Sequence, residues 1–309
     1  DPVSTIQGAI DLASDGDTVL VAPGTYSQFF AVEGKNDLVI SSHFLTSNDT
    51  LDISSTVINT DNRNYGCTLI DINGSVTLSG FTINGGAEYG IETTNVSTAY
   101  IENMKIEDMQ HIGLYVRSTD LILVTKIDFN NNSHGVFIEP STNSVNIAES
   151  NFLNNQIGVL LYSQNNLISK CKFQQNATAF STSGYATNIK NVLFNNNNLS
   201  IESTSSEVNI NNCTIYGNDA INGFDGSVNL KNSIVFNVSN TFLSNAFPAA
   251  YYSEYSWIED GYFGNVESGP GNLSGNPLFM DAENGNFRLN PYSQAIGAGT
   301  LTGAPTTDI

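Results

Sequence analysis

The chain has 309 residues, 40% of them hydrophobic, and Lys+Arg 10 stand against Asp+Glu 30 for a formal charge of −20. Such a field repels nucleic acid and anionic membrane surfaces, and it disfavours polyanionic sugars unless cations bridge them. No apolar run reaches the length of a membrane-spanning helix, so membrane insertion is not expected.

Residues 1–26 open with a short amphipathic helix. Ile6, Ala9, Ile10 and Ala13 form an apolar stripe at helical spacing, Ser4 or Thr5 is placed to cap it, and Asp15-Gly16-Asp17 ends it. TVLVAPGTY then begins a strand. A helix here would cover the end of a stack whose core and strand edge would otherwise be bare. Residues 27–75 are less regular: LVISS (38–42) and STVINT (55–60) read as strands, with loops at 43–54 and 61–66. Loops longer than those of a repeat are where a solenoid usually places a binding feature.

Val76 to Phe236 can be written as copies of one unit. VTLSGFTI (76–83), AYIENMKI (99–106), ILVTKIDF (122–129), VNIAESNF (145–152), NLISKCKF (166–173), TNIKNVLF (187–194), VNINNCTI (208–215) and VNLKNSIV (228–235) align without gaps. Their last residues are 23, 23, 23, 21, 21, 21 and 20 positions apart. A period in this range marks a solenoid, and alternation of apolar with polar residues at period two selects strands over helices. Leu78, Ile101, Val124, Ile147, Ile168, Ile189, Ile210 and Leu230 share one column, so successive turns lay like on like. A second strand follows each corner: YGIE (89–92), IGLYV (112–116), HGVFIE (134–139) and IGVLLY (157–162), then TAFS (178–181) and LSIES (199–203). The corners carry Asn130, Asn131, Asn132, Asn154, Asn155, Asn176, Asn195, Asn196, Asn197 and Asn218. Asparagine tolerates left-handed backbone, and its amide can bond to the turn above, which predicts a structural ladder.

The fold expected is therefore an all-β parallel β-helix with an N-terminal capping helix and an irregular C-terminal cap. It is divided as 1–45 (cap and first coil), 46–236 (regular coils) and 237–309 (cap), in one module of a longer polypeptide. Cys171 and Cys213 share a column with Val192 between them, which puts them roughly 9 to 10 Å apart, beyond disulfide reach.

Two stretches carry a family resemblance. TIQGAIDLASDGDTVLVAPGTY resembles the opening of secreted right-handed β-helix proteins of the pectin-lyase-like superfamily. The segment YYSEYSWIEDGYFGNVESGPGNLSGNPLFMDAENGNFRLNPYSQAIGAGT is similar to the C-terminal region of the choice-of-anchor Q group, with Asn276 and Gln294 standing where that group has aspartate and proline. The resemblance implies a right-handed coil, a capped N-terminal end and export to the cell surface or medium. The start at Asp1 and the ending GAPTTDI fit removal of an upstream segment and continuation downstream.

Chemistry is harder to place. Asn59-Thr60-Asp61 and Ser133-His134-Gly135 imitate two motifs of polygalacturonase-like hydrolases, but paired aspartates between them are absent. Lys105, Asp128 and Lys172 share an outward column, as do Lys126, Glu149 and Lys170, which reads as surface ion pairing between turns. Asp281, Glu283, Asn284 and Asn286 would offer oxygens to calcium, although a tight turn at Asn284-Gly285 explains them better. No cofactor is expected beyond that calcium. Tyr251, Tyr252, Tyr255, Trp257, Tyr262 and Phe263 read as a lid over the last coil.

The pattern on the second strands points elsewhere. If Leu114, Val116, Val136, Ile138, Val159 and Leu161 face inward, then Tyr115, Phe137 and Leu160 form an outward patch beside a row of Arg117, Glu139 and Tyr162. His111 and His134 lie at its edge. Aromatic rings stack on sugars, and Arg117 with Glu139 would bind hydroxyls or a carboxylate. The function expected is a lateral face meeting polysaccharide or cell-surface glycan, with binding favoured over cleavage. A spacer or self-assembling adhesive protein is the rival, and a lyase or hydrolase with its residues in loops 43–54 and 61–66 is a third reading.

Overall fold

The computed structural model describes residues 3–61, 63–242, 250–259 and 266–302. The chain is an all-β parallel solenoid of about ten turns with a short helix at its N-terminal end. Its contacts group into two compact units, Asp1–Asn165 and Asn166–Ile309.

In the first unit the opening helix spans Ile6–Leu12, with the Thr5 hydroxyl accepting from the Gly8 amide at 3.0 Å and Ile6 and Ile10 buried. Gln7 ties it down: its side-chain oxygen accepts from Ala31 N at 2.7 Å while its amide donates to Ala31 O at 3.2 Å. A side-chain amide thereby satisfies backbone groups of the Phe30–Glu33 strand that the end of a sheet would leave unpaired.

The turns pair in the register that the repeats predict. Leu78 lies opposite Ile101, Ile101 opposite Val124, and Val124 opposite Ile147, all fully buried. The expected separate strands run on as single long ones, Tyr65–Ser79, Tyr89–Glu107 and Ile112–Asn130. Single left-handed residues turn the corners without breaking the pairing: Asp71, Asn95 and Ser118 at one corner, Asn103 and Lys126 at another. The stretch expected to be a loop at 43–54 instead holds two short helices, Phe44–Ser47 and Thr50–Ser55. Asp49 caps the second by accepting from Leu51 N at 2.9 Å, Ile53 is buried, and Thr82 donates to Ile53 O at 2.9 Å. This insertion packs onto the coil between the Leu38–Ser42 strand and the Thr56–Asn59 strand, which itself pairs parallel with Gly24–Tyr26.

In the second unit Ile168, Ile189, Ile210 and Leu230 stack in the same way. Phe173 and Phe194 lie ring on ring at 5.1 Å and 11°, as Phe129 and Phe152 do in the first unit at 5.0 Å and 7°. Such pairs contribute about 0.5–1.5 kcal/mol beyond the burial of their area. The repeat also continues past its expected end. Ala250–Glu254 pairs with Ser227–Lys231, and Trp257–Ile258 with Ile234 and Val235. Tyr251 and Trp257 are therefore members of a coil rather than of a lid, whereas Tyr262 and Phe263 lie outside the described residues. Cys67, Cys171 and Cys213 are free and buried.

The asparagine corners divide into two jobs. One residue of each takes left-handed backbone: Asn131, Asn154 and Asn196, with Gln175 in the same role. The next residue turns inward as a ladder. Asn132 donates from its backbone and side-chain nitrogens to Asn155 Oδ1 at 2.9 and 3.1 Å, and Asn155 donates to Phe129 O at 3.1 Å. Asn176 and Asn197 repeat this arrangement in the second unit at 3.0 and 2.9 Å.

A glycine column went unread in the sequence. A Cβ added to Gly66, Gly90, Gly113 or Gly135 would stand 2.5, 2.6, 2.7 or 2.5 Å from the carbonyl oxygen of the next glycine along the stack. Ile83, Ile106, Phe129 and Phe152 press from within at 3.0–3.1 Å. At these four turns a Cβ would have no room between the neighbouring carbonyl and the core side chains. In the second unit Ser200 and Ala220 are in register with each other at this corner.

These contacts separate two kinds of asparagine by experiment. Asn155→Ala leaves a buried amide N–H and carbonyl without partners, each costing about 1–3 kcal/mol, so its denaturant midpoint should fall clearly. Asn131→Gly keeps the left-handed corner and loses one exposed bond to Asp108, so it should stay within about 0.5 kcal/mol of wild type. Gly113→Ala should cost about 1–3 kcal/mol by overpacking, in the same denaturation measurement.

Candidate carbohydrate-binding face

The glycine column also decides which side chains face out. Because Gly135 and Val136 are both buried, His134 and Phe137 emerge three residues apart on one surface, and every turn of the first unit repeats this offset. Three outward columns result. Tyr65, Tyr89, Ile112, His134 and Ile157 form the first; Thr68, Glu92, Tyr115, Phe137 and Leu160 form the second. Ile70, Thr94, Arg117, Glu139 and Tyr162 make the third.

An unbroken line of rings crosses these columns. Phe29 meets Tyr65 at 6.3 Å, Tyr65 stacks on Tyr89 at 5.3 Å, and Tyr89 on Tyr115 at 5.2 Å. Tyr115 meets Phe137 at 5.5 Å, and Phe137 meets Tyr162 edge-on at 5.9 Å, with His134 at 6.1 Å. The structure thus brings together Tyr115, Phe137, Tyr162 and His134, as the alternation predicts. The rings from Tyr65 to Tyr162 are half-buried rather than fully exposed, because each leans on the next along the stack. Tyr65, Tyr89 and Glu92 extend the face beyond what the sequence reading named. Their signal was present in the Tyr-Gly pairs at 65–66 and 89–90, which align with Ile112-Gly113 and His134-Gly135.

The polar groups of the face are paired with neighbours on adjacent turns. Arg117 does not join Glu139 but reaches one turn back, with Nη2 2.5 Å from Glu92 Oε1 and Nε donating to Thr94 Oγ1 at 2.9 Å. Glu92 is buried, its side chain 7% exposed against 43% for Arg117, and a carboxylate there needs a charged partner. The Arg117 guanidinium also sits 5.7 Å from the Tyr115 ring centroid. Glu139 instead accepts the phenol proton of Tyr115. Burial and that hydrogen bond push the Tyr115 phenol up to about 12. Burial, reinforced by the charge of His111, holds His134 below its ordinary value.

The other candidates resolve as structure. Asn59 accepts from Asp61 N at 2.9 Å, and Thr60 donates to Asn84 O at 2.9 Å, which makes Asn59-Thr60-Asp61 a turn tied to the next coil. Lys126 and Glu149 form the expected exposed pair at 4.0 Å, whereas Asp128 takes its bond from Asn151 at 2.7 Å. Asn284 donates to both carboxylate oxygens of Asp281 at 3.0 Å, and Gly285 takes left-handed backbone in the turn predicted there. Among the described residues no cluster of His, Cys, Asp and Glu is arranged to hold a metal, and no helix is long and apolar enough to cross a membrane.

Parallel coils, single-residue corners and an asparagine ladder define a β-helix protein. The family described as "Right handed beta helix region" matches residues 41–199, just over half the chain, and the protein belongs to it. No curated protein sequence matches the chain. Among solved structures, an alginate lyase from Paenibacillus sp. str. FPU-7 is similar at 13% identity and a TM-score of 0.55, over 85% of this chain and 96% of the lyase. The enzymatically active domain of tailspike protein 2 from bacteriophage CBA120 aligns at 11% identity and 0.61, over 92% of this chain but 50% of that domain. The catalytic unit of an α-1,3-glucanase from Streptomyces thermodiastaticus strain HF3-3 aligns at 14% and 0.53, over 87% and 65%. At these identities the likeness is one of fold.

Tyr115 supplies a direct check on the polar geometry. Its pKa is raised above the ordinary value of 10.0, so the phenol–Glu139 bond stabilises the fold fully below pH 10 and is lost as pH rises toward about 12. Phenolate absorbance should show one tyrosine, absent from Tyr115→Phe, ionising near that upper value. Glu139→Gln should bring its midpoint down toward 10; an unmoved midpoint would remove Glu139 from the account.

Proposed function

We propose that the protein is an exported β-helix module whose lateral face in the first unit holds a polysaccharide of low charge, with binding favoured over cleavage. The line of rings from Phe29 to Tyr162 carries this reading. Aromatic faces offer the apolar C–H surface of a sugar ring a partner, and the Arg117–Glu92 and Tyr115–Glu139 pairs fix hydrogen-bonding groups beside them. Half-burial favours such a role, since rings already held by their neighbours lose little rotamer freedom on binding. The net charge of −20 supports a glycan without dense negative charge. Two of the similar structures, an alginate lyase and an α-1,3-glucanase, are named for glycans, which agrees with a glycan partner.

Binding is favoured because the two carboxylates at the centre of the face are committed to neighbours. Glu139 accepts from the Tyr115 phenol, and Arg117 neutralises Glu92, so neither carboxylate stands free to act as a general acid or base. Retardation in gels containing a panel of neutral soluble polysaccharides tests this. At least one should retain the wild-type protein, and Tyr115→Ala with Phe137→Ala should weaken that retention about tenfold or more. Equal retention of a folded double variant would remove the face from the function. Release of reducing or unsaturated sugar from the retained glycan would replace binding with catalysis.

A further inference from the structure

The second unit holds a groove that nothing above uses. Its floor is one outward column of consecutive turns, Lys172, Leu193, Thr214, Ile234 and Trp257, set in register by strand pairing. Four steps of about 4.8 Å make this floor roughly 19 Å long. Its wall is the C-terminal hairpin, in which Phe279–Asp281 pairs antiparallel with Asn286–Leu289. The cavity between them measures about 910 Å³.

The wall is fastened rather than draped. Phe287 packs edge-on against Tyr216 at 5.3 Å, and Phe279 against Phe236 at 6.2 Å. Further along, Asn232 and Thr300 exchange two hydrogen bonds of 2.8 Å, and Trp257 donates its indole N–H to Gly275 O at 2.6 Å. Segments far apart in sequence are thus stitched to the floor along the turns that carry Tyr216, Asn232, Phe236 and Trp257, so the cavity is preformed there.

Its charge is the reverse of the molecule's. The chain carries 30 acidic and 10 basic residues, yet the described residues lining this groove include Lys172 and Arg288 and no aspartate or glutamate. Lys172 and Arg288 are exposed, and neither enters an ion pair among the described residues. The Asn212 amide and the Thr214 hydroxyl line the same space with Phe279 and Phe287, whereas the side chains of Asn232 and Ser256 are already bonded within the protein. At physiological salt, charges beyond about 8 Å are largely screened, so the local cations outweigh the distant carboxylates. We propose that this groove binds an acidic oligosaccharide, its carboxylates met by Lys172 and Arg288 and its hydroxyls by Asn212 and Thr214. This site is separate from the aromatic face of the first unit and does not depend on that reading.

Trp257 is the chain's one tryptophan and lines the groove, so its fluorescence reports on this site alone. Titrating the whole protein with oligogalacturonate should change that fluorescence saturably, with an affinity that falls as salt rises. The carboxyl-reduced, neutral oligomer should bind at least tenfold more weakly. Lys172→Gln with Arg288→Gln, changes at exposed positions whose fold circular dichroism would verify, should lose at least tenfold in affinity, while Tyr115→Ala with Phe137→Ala should leave it unchanged. Absence of any saturable change, equal binding of acidic and neutral oligomers, an unaffected charge variant, or the same response to an oligoglutamate peptide would each overturn the assignment.

Discussion

Exact parallel register between consecutive turns is the constraint on which the rest of each unit depends. Every side chain sits above its counterpart one repeat earlier, so any residue type placed at a corner or on a face becomes a column. Columns of isoleucine, leucine and valine make the core, and a column of asparagine satisfies buried backbone at the corners. The column of glycine lets backbones approach until a carbonyl stands where a Cβ would be. A one-residue slip would turn the inward set outward, which is why single left-handed residues, and not longer loops, make so many of the corners.

The same constraint produces the aromatic face. Rings at one offset from the glycine corner fall at a vertical repeat near the strand spacing, close to the distance at which offset rings attract. The face is ordered before any ligand arrives. Its charges are arranged with equal economy: a buried carboxylate at Glu92 is neutralised by an arginine one turn on, and that frees Glu139 to hold a phenol.

In the second unit the coil is only half of the arrangement. The C-terminal segment returns along the outside of turns already formed, and its aromatic residues find partners there in Tyr216 and Phe236. Two surfaces of opposite electrostatic character therefore arise on one scaffold, one from the repeat itself and one from the repeat plus its returning tail.

Periodicity in the sequence was enough to determine the all-β solenoid, the core columns from Leu78 to Leu230, the capping helix with Ser4 or Thr5 at its start, and the outward placement of Tyr115, Phe137 and Tyr162. These follow from local geometry, since alternation and repeat length need no knowledge of what lies beyond the next turn. Only the tertiary structure decided that Arg117 turns back to Glu92, that residues 44–55 are helical, that Tyr251 and Trp257 belong to a coil, and that Lys172 shares a groove with Arg288. Each of those outcomes rests on a choice between partners that the sequence leaves open. A long side chain reaches the turn before as easily as the turn after, and a non-repeating segment has no column to fix where it lands.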